Sequence, residues 1–146
     1  MLGAGEGALL AGPTAARLCG LKGYGSRVVH VLVPAGRRVS ARPGVKIHRT
    51  HILAAHDALV RGRPPQTTIA RSLVDAAQWA DTDEAARAIL LAGFQQRLTA
   101  ADELTEVLHR MPRAYRRALI AETIADVAAQ IHSALTAAGL PPYPRK

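Results

Sequence analysis

The chain has 146 residues, 49% of them apolar, with a net charge of +8 and a single cysteine, Cys19. That suits one domain with its own buried core and excludes an internal disulfide. No window approaches the roughly eighteen consecutive apolar residues of a spanning helix, and the opening "MLGAGEGALLAG" lacks a signal peptide's basic start, so the expected setting is a reducing cytoplasm with no membrane partner.

In chain order, "AGPTAARLCGL" predicts a short helix, with Pro13 in its first turn and Gly20 as its stop. Cys19, set between Leu18 and Gly20, reads as a buried structural thiol. After the turn "GYGS", the β-branched run "VVHVLV" predicts a strand from Val28 to Val33, broken by Pro34 and Gly36. "RPG" at 42–44 is a second turn, and "VKIHR" a second strand with Val45, Ile47 and Arg49 on one face. The two strands are expected to pair as an antiparallel hairpin with a long basic tip. A third short strand, "ALV" at 58–60, precedes the turn "RGRPP".

From there the period changes to that of helices. "TTIARSLVDAAQWA" offers Thr67 or Thr68 as N-cap, a buried stripe of Ile69, Leu73, Ala77 and Ala80, and Asp75 and Gln78 facing water. Ala86, Ile89, Leu90, Gly93 and Phe94 mark the next helix, and Leu104, Val107, Leu108 and Met111 a third, with Thr99 as cap and Asp102 three residues on. A last helix from about Tyr115 to Ala138 is expected to bury Ile120, Ile124, Val127, Ile131 and Leu135. The fold class is α+β: a small antiparallel sheet followed by about four helices. One domain covers 1–146, with the hairpin region at 8–65, the helical region at 66–139 and a tail at 140–146.

The charge is lopsided. Residues 1–71 hold eleven Lys and Arg against two acids, whereas residues 72–146 hold eight against nine. A one-sided positive field attracts phosphate backbones or acidic protein surfaces. Arg37, Arg38, Arg42 and Lys46 share one loop and its flank, Arg61 and Arg63 lie in the next turn, and Arg110, Arg113, Arg116 and Arg117 cluster around Tyr115. Each can neutralise a phosphate, and the near-absence of aromatic residues among them favours duplex over single-stranded nucleic acid.

Catalytic readings are weak. His48, His51 and His56 invite a metal site, but no cysteine or carboxylate cluster completes a ligand set, and solvated or phosphate-facing imidazoles explain them. No serine lies in a nucleophile motif. "GAGEG" lacks the Gly-Lys-Ser/Thr ending of a phosphate loop, and the carboxylates near helix starts suit the helix dipole. No catalytic residue, metal or cofactor is expected, and the chain should be monomeric or weakly dimeric.

The succession "ALLAGPTAARLCGL", "VHVLVPAGRRVSARPGVKIHRT", "RGRPPQTTIARSLVDAA" and "LTAADELTEVLHRM" resembles the core of the actinobacterial AbiEi-like antitoxins of type IV toxin–antitoxin systems, over about residues 8–111. Such proteins typically begin with a DNA-binding winged helix, and longer ones end in a nuclease-like domain. By that resemblance the chain is expected to begin after the first and, at "QIHSALTAAGLPP", to reach only the opening of the second. The resemblance implies a non-enzymatic antitoxin or regulator core. Its expected partner is duplex DNA; the alternative is a protein-interaction remnant binding a toxin-like protein.

Overall fold

The computed structural model describes residues 8–25, 27–36, 42–50, 55–59 and 64–140. The fold is α+β, with strands β1 (Leu9–Leu10), β2 (Val29–Pro34), β3 (Val45–Thr50), β4 (Ala58–Leu59) and β5 (Gln66–Thr67). The helices are α1 (Gly12–Leu18), α2 (Ile69–Trp79), α3 (Asp83–Gln95), α4 (Ala101–His109) and α5 (Arg117–Ala137), with one 3₁₀ turn at Ala55–Asp57. Among the described residues, no helix is long and apolar enough to cross a membrane.

The strands form one mixed sheet in the order β3-β2-β1-β5-β4. Here the antiparallel hairpin is corrected: β2 and β3 run parallel, in a register from Val29↔Val45 to Pro34↔Thr50. The physical reason lies in the connection. Ten residues separate Pro34 from Val45, and ten extended residues reach roughly 33–36 Å, enough to return along a six-residue strand of about 20 Å. The two turn signals, at Pro34–Gly36 and at "RPG", stand at opposite ends of that return and do not close a single tip. β1 pairs antiparallel with β2 and parallel with β5.

Alternation divides the sheet. Val31 and Val33 are buried on one face with Ala8, and Leu10, Val29, Val45 and Ile47 pack against them. The other face carries Leu32, His30 and His48 and meets the helices. The main core lies among the helices and centres on α2, in which every residue from Ala70 to Ala77 is buried. Thr68 caps α2, its hydroxyl accepting from the Arg71 N–H, and Thr82 does the same for α3. On α4 the cap is shifted from the expected Thr99 to Ala100, whose N–H donates to Glu103. Gly93 permits the close approach of α3 to α2, since a Cβ there would lie 2.6 Å from Leu73 Cδ1. The distal half of α5 also departs from expectation: its last buried residue is Val127, and Ile131 is 37% exposed.

Candidate functional site

The cations fall into two groups. Four of those in the helical half, Arg71, Arg110, Arg116 and Arg117, are used internally, while Arg87, Arg97 and Arg113 are exposed. Arg71, itself buried, donates from Nε to Asp75 at 3.0 Å and from Nη1 to Asp57 at 3.3 Å, and Arg110 pairs with the other oxygen of Asp57. Asp57, Arg71 and Asp75 are 0–1% exposed, so the expectation that Asp75 faces water is corrected. It is buried because α2 is surrounded on all sides, and Gln78 completes its partners at 3.0 Å. Burial pushes the Asp75 carboxyl up to about 6, against the opposing pull of Arg71.

Arg116 and Arg117 also leave the candidate nucleic-acid surface. Arg116 donates to the carbonyls of Ala77, Gln78 and Ala80 at the C-terminal end of α2 and pairs with Asp83, stapling α2 and α3 to the start of α5. Those carbonyls are the orphan acceptors of a helix end, and a guanidinium fork suits them. Arg117 donates to the Leu108 carbonyl near the end of α4. Of that cluster, Arg113 alone is exposed.

The second group lies at the sheet edge. Arg42 stands at the end of the connection, Lys46 on one face of β3 and Arg49 on the other, with Arg27 just before β2; all four are exposed. None of them makes an ion pair among the described residues. No acid occurs from Gly7 to His56, a run holding eight Lys and Arg. The four candidates Arg37, Arg38, Arg61 and Arg63 lie outside the described residues.

Sequence reasoning missed what sits beneath this edge. His48 Nε2 and His30 Nδ1 are 3.0 Å apart, with ring centroids at 5.2 Å and planes 17° apart, which is the geometry of two imidazoles side by side sharing one N–H···N bond. The His48 ring stacks on the indole of Trp79 at 3.4 Å and 4°. On the indole's six-membered ring the backbone of Gly12 approaches so closely that a Cβ would lie 2.4 Å from Cζ3. His48 is thus a packing element and not a solvated or phosphate-facing group. The available signal was the shared face of His30 and His48 on two strands, visible only once their pairing is known. Cys19 is likewise half-buried and accepts from Gln66 Nε2 at 3.3 Å.

Burial, then the neighbouring His30 and Lys46, hold the His48 imidazole down to about 4, and burial followed by Lys46 lowers His30 as well. An unfolded histidine takes its proton near 6.5. The stability tied to neutral His48 is therefore full above pH 6.5 and lost as the pH falls through about 4. After allowance for its partial exposure, the loss is about 1–2 kcal/mol. Asp75 has the opposite sign, contributing fully below the ordinary carboxylate value and losing that as pH rises through about 6, so a global melt blunts both. Emission from Trp79, the only tryptophan, isolates the local event. It should titrate near pH 4, and His48→Gln should abolish the step.

Comparison of the chain with known protein families, curated proteins and solved structures returns no match.

Proposed function

We propose that the chain is a non-enzymatic binding module that holds the phosphate backbone of duplex DNA at the β3 edge. One observation carries this reading: Asp57, Asp75 and Asp83 hold Arg71, Arg110 and Arg116 within the fold, while Arg27, Arg42, Lys46 and Arg49 stand exposed on an acid-free part of the chain. A field of one sign on one edge attracts a polyanion. The half-buried imidazole pair beneath supports the edge strand without adding charge at neutral pH. The resemblance to the AbiEi-like antitoxin core accords with a role as antitoxin or regulator.

Each phosphate contact releases counterions, giving a log–log salt slope of about −0.9 per contact. The triple variant Arg42→Ala, Lys46→Ala, Arg49→Ala should flatten that slope by about two to three units and weaken all duplex sequences alike. Arg87→Ala, an exposed site on α3, should leave the slope unchanged. Titration at several salt concentrations checks this. Equal slopes for wild type and triple variant would sink the DNA reading and favour a toxin-like protein partner.

A further inference from the structure

We propose that α5 is the seam of a homodimer, with each copy's distal α5 seated in the other's α4–α5 groove. The pattern begins in the sequence. Ala121, Ile124, Ala128, Ile131, Leu135 and Ala138 follow the alternating three- and four-residue spacing of a coiled-coil seam. In the fold, the N-terminal part of that stripe is used, with Ile124 buried against the core. The distal part is not: among the described residues nothing after Val127 is buried, Ile131 is 37% exposed and Leu140 55%.

Beside it lies a place of matching chemistry. A groove of about 1200 Å³ has an apolar floor of Ile69, Leu108, Ala121, Ile124, Ala125 and Ala128. A smaller hollow of about 250 Å³ continues it past Phe94, Ala101 and Ile131. The same helix therefore presents an apolar projecting end and an apolar recess, which a two-fold axis satisfies at once in both copies.

Charge selects the occupant. Residues 127–140 contain no Lys, Arg, Asp or Glu, on a chain of net charge +8. Two such chains repel one another over most of their surface but not here. The groove's lining adds Asp102, Glu103 and Glu106, which repel a nucleic acid or an acidic protein, while its cations Arg110 and Arg117 are held by Asp57 and the Leu108 carbonyl. An antiparallel crossing between Ala128 and Ile131 places Ala128 opposite the partner's Ile131, small against large. It also places Ile124 opposite the partner's Leu135.

Sedimentation equilibrium of the full chain, without nucleic acid, tests this independently of the DNA reading. Wild type should pass from monomer to dimer between micromolar and millimolar concentration. Ile131→Glu should remain monomeric with an unchanged melting temperature, because the site is exposed, and Ala129→Glu on the outer face should still dimerise. Ala128→Glu and Ile131→Lys, each monomeric alone, should associate when mixed, since the seam sets the two positions against each other. A monomeric wild type, a dimeric Ile131→Glu, a disrupted Ala129→Glu or a mixture that fails to associate would each overturn the proposal.

Discussion

Arg71→Met is expected to destabilise the chain by about 3–5 kcal/mol, because it removes one partner from a buried ionic group and leaves the others charged. Arg71 is the only cation on Asp75 among the ion pairs of the described residues, and it shares Asp57 with Arg110. Without it, Asp75 has Gln78 alone, and two buried carboxylates face each other across the vacated guanidinium. Urea unfolding of wild type and variant at neutral pH measures the loss. Two further results separate the ionic cause from a packing defect. The deficit should shrink at mildly acidic pH, since the freed carboxyl, raised further, takes up a proton. Arg71→Met combined with Asp75→Leu should recover much of the loss, because removing both charges removes the desolvation penalty. A deficit independent of pH and unrelieved in the double variant would show that the side chain's volume, not its charge, matters.

Gly12→Ala should cost about 2–4 kcal/mol, the sum of an unfavourable left-handed backbone and a methyl forced into a filled space. Gly12 has φ +56°, and its Cβ would lie 2.4 and 2.6 Å from Trp79 Cζ3 and Cε3. The indole cannot retreat freely, since the His48 ring lies 3.4 Å away. Strain should therefore reach the imidazole pair and alter Trp79 emission. Gly12→Ala in a Trp79→Leu background should cost only about 1–2 kcal/mol, the backbone share alone. Equal costs in both backgrounds would show that the contact with the indole carries none of the penalty.

Much of the helical half was legible because helical spacing is local. The stripes at Ala86–Gly93 and Leu104–Met111 are buried as their periodicity implies, and Thr68 caps α2. The failures share a cause: each depends on residues far apart in sequence. Asp75 looks solvent-facing on α2 alone and is buried because other elements close over it. The pairing direction of β2 and β3 cannot be read from two strands of like alternation, since parallel and antiparallel pairs place the same side chains on the same face. Arg116 and Arg117 read as surface charge because a helix end in need of donors leaves no mark in the sequence. One cue did exist for the ionic cluster. Asp57 is the only acid between Gly7 and Ser72, and a lone acid in so basic a stretch suggests a fixed internal partner. Of the exposed cations of the β3 edge, Arg42 and Lys46 were legible as candidates, whereas Arg27 and Arg49 gain their place only from the fold.

One of the three two-residue strands described has a consequence for the order of assembly. β1 spans two residues and is the one strand, among those described, that joins β3–β2 to β5–β4. Its second neighbour waits on the pairing of Leu10 with Gln66, which lies 56 residues later in the chain. At synthesis rates of about 5–20 residues per second, that interval lasts roughly 3–11 seconds, apart from the further length hidden in the ribosomal exit tunnel. During it the emerging chain holds the valine-lined strands β2 and β3 with only the short α1 beside them and none of α2 to α5. A chain interrupted before Gln66 therefore lacks the strand that β1 pairs with on that side, and its sheet stops at β1.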